Sequence, residues 1–457
     1  MKINLNEFFL DFSGCLKGEF YGEFKSFKLD SREIKKGDIF IALKGSNFDG
    51  HDFVNQAVEN GAIGVIVEKH VDLPLEIFQY IVPSTKGFLL ALGQYARNKS
   101  EAKFIGITGS AGKTTTKEMV NLILKEKYNV AKTPGNLNTD LSLPIFLVDI
   151  LKEKLDFVIL EMGVQKKGDM DKLVEIAWPE ISAILNIGES HTEFLKDREG
   201  VAKEKFKIVN KSELAILNLD NDLISMFGTN HNINKFFFGM DKRSDLSGEI
   251  INLAEDNMEV IVNYEGKKYR KTLPFSGSTF FYDMLAAVSV GINLGIDLDS
   301  SLNYVSRFIP LKGRGEIINL PKGIRIIDET YNSNPFSLEQ SINRIKEHKD
   351  FLVMIIGDML ELGKNSQKLH EEAGEILASV KPDIVVGFGE YASFLKKGAT
   401  LKGLKKVFDF NDRKMILNFL RSIAIPEKSI IFIKGSRGLK MEEFVEVFRE
   451  RLYDGKN

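Results

Sequence analysis

A glycine-rich turn lies between an apolar run and a helical pattern near residue 110. Residues 103–116 read KFIGITGSAGKTTT, and the turn is formed by Gly109, Ser110, Ala111, Gly112, Lys113, Thr114 and Thr115. Glycines let backbone N–H groups point inward, and the start of a helix adds positive potential, so this pattern is typical of a phosphate cradle. Lys113 can reach β- and γ-phosphates, and the Thr114 hydroxyl can ligate Mg²⁺. The turn therefore predicts a nucleotide site.

The turn departs from the general phosphate-loop pattern in one respect. The pattern places a glycine five residues before Gly112, but that position is Ile107, and Gly106 comes one residue too early. A glycine-rich turn without a ligand is the alternative interpretation. The order of strand, loop, Lys-Thr and helix favours the phosphate site, which leaves kinases, GTPases, ATPases and ligases open.

Further residues with possible chemistry follow the phosphate loop. Glu161 ends the apolar run DFVILE, where a carboxylate would face Mg²⁺ at the carboxyl edge of a parallel sheet, although it is equally consistent with an ordinary strand-end acid. His191 lies in a polar loop, NIGESHTEF, where a lone histidine is usually a surface or structural residue. Three lysines, Lys203, Lys205 and Lys207, sit on the next predicted helix and would by default form a solvated face.

Composition narrows the classes of protein. The 457 residues carry 62 Lys+Arg and 64 Asp+Glu, and this near balance argues against general nucleic-acid binding and a polybasic membrane surface. One cysteine, Cys15, excludes an internal disulfide and a Cys-based zinc site. No apolar run approaches the roughly 18 residues of a spanning helix, and Asp11 interrupts the short apolar stretch at the N-terminus. We expect a cytoplasmic protein without membrane insertion, acting as a monomer.

The alternation of strand and helix patterns predicts an α/β protein of three domains. We expect the domains to span residues 1–84, 85–310 and 311–457. The central one would be a P-loop mononucleotide-binding domain, and the C-terminal one a doubly wound, Rossmann-like domain. A β-meander is expected near 235–275. The predicted strands include 38–43, 64–68, 103–107, 157–160, 183–187, 215–219, 324–327, 352–356, 384–386 and 430–433, and the predicted helices include 53–59, 87–98, 282–294, 337–346 and 367–378.

Several motifs in order resemble the Mur ligase family of ATP-dependent, amide-forming enzymes. TGSAGKTTTKEM is followed by EMG, NIGESH and REGVAKEK. GDMLELG at 357–363, LHEEAG at 369–374 and KGSRGLKME at 434–442 resemble the members that join D-Ala-D-Ala to UDP-MurNAc-tripeptide. The resemblance covers nearly the whole chain. It implies the three-domain Mur ligase architecture, with ATP and Mg²⁺ as cofactors.

The resemblance also implies a set of metal ligands. In the family, the glutamate of EMG and the histidine of the following loop bind magnesium, which places Glu161 and His191 at the metal beside Thr114. Lys205 would be carbamylated, with Lys203 as the second choice. Carbamylation converts a cation into an anionic oxygen donor, which suits Mg²⁺ as an amine does not.

Substrate-binding residues follow from the same resemblance. LDSR, with Ser31 and Arg32, is similar to the family's uridine-nucleotide segment, although the residues alone indicate only a polar turn before a strand. GNLNT at 135–139 is similar to the loop that holds the muramyl peptide, through Asn136, Asn138 and Thr139. Asn side chains there are also consistent with Asx turns.

The third segment contributes nucleotide contacts by resemblance. Arg314 would reach the phosphates, and DETYNSNP would contact the nucleotide through Asp328 or Glu329, between which the sequence does not choose, and through Asn332.

The family's adenine-binding stretch, Gly-x-His-Asn-x-x-Asn-Ala, is altered here. Its histidine and both asparagines become Thr279, Phe280 and Asp283. Phe280 or Phe281 is therefore either an adenine-stacking ring or a core residue.

The implied reaction activates a carboxylate as an acyl phosphate, which an amine then attacks. Two alternatives remain: a sister ligase that adds a single amino acid to a muramyl peptide or glutamate to folate, and a P-loop ATPase or binding module without ligation. The third residue of the acceptor peptide, lysine or diaminopimelate, is not indicated by the sequence.

Overall fold

The computed structural model describes residues 5–17, 23–45, 48–135, 137–346 and 348–453, which form three β-sheets in succession along the chain. The first sheet has the order β1-β5-β4-β3-β2, parallel except where β1 meets β5. Its elements are α1 (Leu5–Asp11), β1 (Cys15–Lys17), β2 (Phe27–Lys28), β3 (Ile39–Ile41), α2 (Val54–Glu59), β4 (Gly64–Val67) and β5 (Phe78–Ile81).

The central sheet has nine strands in the order β14-β13-β12-β11-β10-β9-β6-β8-β7, parallel from β7 to β12 and antiparallel through the meander β12–β14. The strand that leads into the phosphate loop, β6, lies between β8 and β9. The elements are α3 (Thr85–Lys99), β6 (Lys103–Thr108), α4 (Lys113–Leu124), β7 (Val130–Lys132), α5 (Ser142–Ile150), β8 (Phe157–Glu161), α6 (Asp169–Ala177), β9 (Ile181–Ile184), α7 (Thr192–Leu195), α8 (Arg198–Phe206), β10 (Leu214–Asn218), α9 (Asp222–Asn230), β11 (Asn234–Gly239), β12 (Leu246–Leu253), β13 (Met258–Tyr264), β14 (Lys267–Leu273), α10 (Ser278–Asn293) and α11 (Leu298–Val305).

The third sheet has six strands in the order β15-β16-β20-β17-β18-β19, parallel except for β15 at one edge. Its inner strands β20, β17 and β18 are largely apolar and are buried along their whole length, as expected for a sheet covered by helices on both faces. The elements are β15 (Glu316–Asn319), β16 (Arg325–Glu329), α12 (Pro335–Arg344), β17 (Leu352–Gly357), α13 (Ser366–Leu377), β18 (Ile384–Phe388), α14 (Ala392–Leu401), β19 (Val407–Phe410), α15 (Arg413–Ser422), β20 (Ile430–Lys434) and α16 (Glu442–Tyr453).

The predicted α/β class is confirmed, and most predicted elements occur within a few residues of their expected bounds. The first sheet ends at Ile81 and the third begins at Glu316, while the limits 84/85 and 310/311 stay predictions. Among the described residues, no helix combines the length and the apolar composition needed to cross a membrane.

The strand predicted at 183–187 was placed too late, because β9 ends at Ile184. The next backbone amide, that of Leu185, still donates to the carbonyl of Thr108 at 3.0 Å, after which the chain leaves the sheet. Asn186 therefore belongs to a loop beside the phosphate loop, where its polar groups accept hydrogen bonds from the loop amides.

An ion pair between a buried arginine and a partly buried glutamate joins α3 to the segment that precedes β9. The Arg97 guanidinium pairs with the Glu180 carboxylate and lies 4.0 Å from the Phe104 ring centre and 5.0 Å from that of Trp178. Glu180 also accepts a hydrogen bond of 2.7 Å from the Phe104 amide. Removal of one member of a buried pair leaves the other charge without its partner, which is costly.

We predict that Arg97→Met lowers the free energy of unfolding by about 3 kcal/mol. The matched control is Lys99→Met on the same helix, because the Lys99–Glu7 pair is solvent-exposed and such pairs contribute about 0–1 kcal/mol. Denaturant unfolding followed by the fluorescence of Trp178, the single tryptophan, measures both. Equal effects of the two substitutions would contradict the role assigned to Arg97.

Candidate active site

The phosphate loop is held in place before any ligand binds. The Ser110 amide donates to the Asn186 carbonyl at 3.1 Å, and the Ala111 amide donates to the Asn186 side-chain oxygen at 2.8 Å. Gly112 has a φ of 82°, and a Cβ there would lie 2.0 Å from an oxygen of Asp283. Only glycine fits that position, so the loop has one backbone path from β6 into α4.

The glycine that precedes the loop has a different role from that of a loop glycine. Gly106 lies inside β6, where a Cβ would come within 3.0 Å of Pro179 and Met162 side-chain atoms. It is a packing residue of the sheet, so the shift of this glycine relative to the general pattern does not alter the loop itself.

A cavity of about 620 Å³ opens over the loop and is lined by the central and third domains. It gathers most of the predicted site residues, which are Ser110, Ala111, Gly112, Lys113, Thr114, Thr115, Asn138, Thr139, Glu161, His191, Arg314, Glu329 and Asn332. Gly109, Lys205, Asp328, Ser31 and Arg32 are not part of its lining. Asn136 lies outside the described residues.

Glu161 is buried at the end of β8 and is bonded on both of its oxygens. The Thr114 hydroxyl donates to Oε2 at 2.6 Å, and the Asn138 amide donates to Oε1 at 2.8 Å. Burial opposes ionisation, but the charge of Lys113 and the hydrogen bond from Thr114 outweigh it, so the pKa of Glu161 lies below its usual value. The carboxylate is therefore charged at neutral pH.

Two lysines converge beneath the loop on one carbonyl oxygen. Lys113 Nζ donates to the Gly109 carbonyl at 2.9 Å, and Lys205 Nζ donates to the same oxygen at 3.1 Å. Burial, reinforced by the charge of Lys113, lowers the pKa of Lys205 well below its usual value. Burial together with the neighbouring Lys113 charge therefore favours the neutral amine form of Lys205.

The prediction of a solvated lysine face on α8 was wrong for Lys205, which is 1% exposed. The Lys203 side chain is 65% exposed and pairs with Glu199 one helical turn away. The two candidates for carbamylation therefore have different surroundings: Lys205 lies under the phosphate loop and Lys203 faces solvent.

His191 lines the cavity and contacts the third domain. Its Nδ1 is hydrogen-bonded to a carboxylate oxygen of Glu361, and its backbone has a φ of 56°. The contact joins two residues that are 170 positions apart. Sequence reasoning assigned no role to Glu361 because only the fold brings the two loops together.

Lys117 is a second residue that sequence reasoning missed. It lies one turn after Lys113 in α4, is completely buried, and donates to the carbonyls of Thr133 and Gly135 at 2.7 and 2.8 Å. Its Nζ is 3.7 Å from Glu161 Oε2. A helical lysine is usually solvated, and the signal for burial is the helical spacing of Lys117 from the apolar residues Val120 and Leu124.

The third domain supplies Arg314 and an internal ion pair to the cavity wall. Arg314 stacks on Tyr331, with its guanidinium carbon 3.5 Å from the ring centre. Glu329 Oε2 accepts from Lys434 at 2.8 Å. Burial opposes ionisation of Glu329, but Lys434 holds the pKa of Glu329 below its usual value.

Asp328 and Glu329, between which the sequence did not choose as the nucleotide contact, have different surroundings. Asp328 is fully buried and accepts hydrogen bonds from Thr330 and from the Gly313 amide, so it shapes the chain around Arg314. Glu329 lines the cavity. Of the two, Glu329 is the acid that a nucleotide in the cavity would meet.

The altered adenine stretch forms the first turns of α10. Phe281 is fully buried in the core, whereas Phe280 lines the cavity and also packs against Phe275 and Phe308. Asp283 is buried against Gly112, accepts a hydrogen bond from Thr116 at 3.1 Å, and has no partner for Oδ2 in the described chain. Burial raises the pKa of Asp283 well above its usual value.

The predicted uridine residues lie in the N-terminal domain, away from this cavity. The Ser31 hydroxyl is buried and donates to Gln56 at 2.6 Å, while Arg32 is exposed and pairs with Asp30. Arg32 is available to a ligand, whereas Ser31 would have to exchange its present partner.

Three α/β domains around a phosphate loop, with a charged carboxylate and buried lysines beside it, define a P-loop protein with a site between domains. Models of the Mur ligase family match three parts of the chain: the catalytic domain at residues 23–119, the middle domain at 107–291 and the glutamate ligase domain at 313–437. The UDP-N-acetylmuramoyl-tripeptide–D-alanyl-D-alanine ligase of Rickettsia prowazekii is 33% identical over 430 residues, which are 92% of this chain and 94% of that protein.

Solved structures give the same result. MurF from Acinetobacter baumannii superimposes with a TM-score of 0.85 at 32% identity and 93% coverage of each chain. The MurF ligase from Thermotoga maritima in complex with ADP has a TM-score of 0.83 at 29% identity, with 94% of this chain and 98% of that chain covered. The chain belongs to the Mur ligase family, and the three-domain architecture predicted from the sequence is confirmed.

We predict that Asp283→Asn makes the stability of the protein less dependent on pH above about 4. The folded protein holds the Asp283 proton more tightly than the unfolded chain does, so stability is lost as pH rises above about 4, the pKa of an unfolded aspartate. Asparagine cannot ionise, and its oxygen still accepts from Thr116. Unfolding temperatures measured from pH 4 to pH 8 should therefore fall less in this variant than in the wild type. Parallel curves, or the same change from Asp72→Asn at an exposed site, would contradict the prediction.

Proposed function

We propose that this protein joins D-alanyl-D-alanine to UDP-N-acetylmuramoyl-tripeptide with hydrolysis of ATP to ADP and phosphate, giving the UDP-N-acetylmuramoyl-pentapeptide of peptidoglycan synthesis. The observation that carries the proposal is the phosphate loop with Lys113 and Lys205 at the Gly109 carbonyl and with Lys113 and Lys117 beside the Glu161 carboxylate. The relatives that align over nearly the whole chain are named for this ligase activity.

The first step requires two anions to meet. The terminal carboxylate of the tripeptide attacks the γ-phosphorus of ATP, the bond to the bridging oxygen breaks, and an acyl phosphate and ADP result. Lys113 at the phosphate loop and Arg314 across the cavity offset the charge that gathers at the transferred group. The carboxylate gains a leaving group that it lacks by itself.

The second step forms the amide. The amine of D-alanyl-D-alanine attacks the acyl carbon, inorganic phosphate leaves, and the amine gives up a proton. Asn138 and Thr139 lie on the cavity wall beside Glu161 and are placed to orient the peptide end of the substrate. Exclusion of water protects the acyl phosphate from hydrolysis.

Contacts between the domains support a closed reaction site. The side-chain amide of Asn334, in the third domain, donates to the backbone carbonyl of Ser110 in the phosphate loop at 3.3 Å. Arg314, which lies just before β15 in the chain, lines the same cavity. We infer that the third domain moves away for substrate exchange and returns for chemistry.

The residues at the loop fit Mg²⁺ as an oxygen-ligated ion. Mg²⁺ at phosphate-transfer sites is held by one or two protein oxygens together with phosphates and water, and Thr114 Oγ1 and Glu161 Oε2 lie 2.6 Å apart. Among the described residues, no three His, Cys, Asp or Glu side chains form a metal-binding group. Thr114, Glu161, His191 and a Lys205 carbamate would hold the ion, which would neutralise phosphate charge.

Carbamylation of Lys205 is consistent with its environment. The reaction needs a neutral amine, which attacks the carbon of CO₂ and releases one proton as the carbamate forms. The lowered pKa of Lys205 supplies that amine, and the carbamate would place a negative charge beside the Lys113 ammonium, with which it shares the Gly109 carbonyl.

We predict that Lys205→Ala reduces ligation by about 100-fold, while Lys203→Ala leaves it within about twofold because Lys203 is a solvent-exposed residue. Bicarbonate should not restore the Lys205 variant. Carbon-13 NMR with labelled bicarbonate should show a carbamate signal in the wild type that is absent from Lys205→Ala. Full activity of that variant, or equal loss in both, would remove the carbamate from the account.

The proposal is tested by incubating the protein with ATP, UDP-N-acetylmuramoyl-tripeptide and D-alanyl-D-alanine, with the product identified by mass. We expect the pentapeptide and one phosphate per amide bond from the wild type. Lys113→Ala should lose at least about 100-fold in rate because its ammonium acts on the transferred charge, with the fold retained by circular dichroism.

Two other outcomes would each replace the proposal. Ligation of single amino acids alone would assign the protein to a sister reaction. ATP turnover that is independent of both the tripeptide and the dipeptide would indicate an ATPase without ligation.

A further inference from the structure

A loop of the third domain crosses to the central domain at His191. The loop follows β17, and its Glu361 carboxylate accepts the hydrogen bond from His191 Nδ1. The backbone joins the contact as well, because the Glu193 amide donates to the Glu361 carbonyl at 3.2 Å. Gly363, with a φ of 59°, completes the contact: a Cβ there would lie 3.1 Å from Glu193 Cα.

The loop is fixed on its own domain before it reaches His191. The Met359 amide donates to His370 Nε2 at 2.9 Å, and His370 Nδ1 is bonded to the Ser366 carbonyl at 2.6 Å. The Leu360 amide donates to the Ser436 hydroxyl at 2.9 Å. Two successive backbone amides are therefore fixed by side chains from α13 and from the segment after β20.

Both ends of the cross-domain bond have an unusual backbone. His191 has a φ of 56° and Glu361 a φ of 64°, in the left-handed region that residues other than glycine rarely adopt. Such conformations persist where surrounding contacts enforce them, and they cluster at functional sites. The contact is thus constrained from both domains, although its two side chains remain partly exposed.

We propose that Glu361 is a positioning residue that orients His191 for catalysis only when the third domain is docked. A hydrogen on Nδ1 that is donated to Glu361 leaves Nε2 as the nitrogen with an available lone pair. Carboxylates act in this way on metal-binding histidines, by fixing the tautomer and the ring orientation. The inference rests on the proposed role of His191 as a magnesium ligand.

The consequence is that domain closure and assembly of the metal site are one event. With the third domain away, His191 loses its carboxylate partner, and the imidazole is free to turn and to change tautomer. With the domain docked, Arg314 and the oriented His191 enter the cavity together. Phosphate transfer is thereby confined to the closed molecule.

The test uses the full-length protein with a non-hydrolysable ATP analogue and Mn²⁺ as a spectroscopic substitute for Mg²⁺. Electron paramagnetic resonance measures Mn²⁺ affinity, and amide hydrogen exchange measures docking at Glu193. We expect Glu361→Ala to weaken Mn²⁺ binding about tenfold and to speed exchange at Glu193. Glu361→Gln, whose side-chain oxygen still accepts from Nδ1, should stay within about threefold of the wild type. Glu372→Ala, at an exposed acid of α13, is the matched control and should change neither value.

Failure of this inference is distinct from failure of the proposed function. If His191→Ala weakens Mn²⁺ binding while Glu361→Ala binds it as the wild type does, the positioning role is wrong and the metal role stands. If His191→Ala binds Mn²⁺ normally, the proposed metal role of His191 is wrong, and the inference falls with it. If Glu361→Gln is as impaired as Glu361→Ala, the carboxylate does more than accept the Nδ1 hydrogen bond, and the inference in this form is overturned.

Discussion

The structure depends on a cluster of lysine side chains beneath the phosphate loop. Lys113 and Lys205 donate to a single carbonyl oxygen, and Lys117 is fully buried one helical turn further on. Glu161, the acid beside Lys113 and Lys117, carries one negative charge. A buried charge without a partner is costly, so such a cluster favours whatever brings anionic oxygen. The phosphates of a nucleotide and a carbamate on Lys205 both do so.

The second constraint is that no single domain contains the complete site. The central domain holds the phosphate loop and Glu161, while the third domain supplies Arg314, Glu329 and the partner of His191. Ligation through an acyl phosphate benefits from this division, because the reactive intermediate forms only when the cavity is closed. An interface that opens also gives three substrates access to one cavity.

The sequence predicted the features that depend on local patterns. The phosphate loop, β6 and α4 follow from glycine spacing and apolar periodicity, and the three-sheet organisation follows from alternating elements. Glu161 was placed at a strand end because it follows an apolar run, and at the carboxyl edge of the sheet because parallel strands end together there. These inferences need only neighbouring residues, and the structure reproduces them.

The features that sequence reasoning missed depend on long-range packing. Lysine on a helix is usually solvated, so residue type did not indicate the burial of Lys117 and Lys205, although both lie at helical spacing from buried apolar residues. The bond between His191 and Glu361 joins two loops of different domains, which no spacing rule links. The distinct surroundings of Asp328 and Glu329 arise from the alternation of faces along β16, whose register the sequence leaves open.

The altered stretch at the start of α10 shows how one substitution acts through its surroundings. Asp283 takes the place of an asparagine in the family pattern and lies against Gly112 with one oxygen unpartnered. Burial favours its neutral form, and a neutral carboxyl group resembles a carboxamide in shape and hydrogen bonding. The loss of the asparagine is therefore a smaller chemical change than the sequence suggests.

The central claim is that the buried cations beneath the phosphate loop bind a triphosphate and prepare it for attack. A crystal structure with Mg²⁺ and a non-hydrolysable ATP analogue tests it most directly. The account predicts β- and γ-phosphates against Lys113 and the loop amides, with the metal ion touching Thr114 and Glu161. A triphosphate bound elsewhere in the cavity, with Lys113 still donating only to the Gly109 carbonyl, would contradict it.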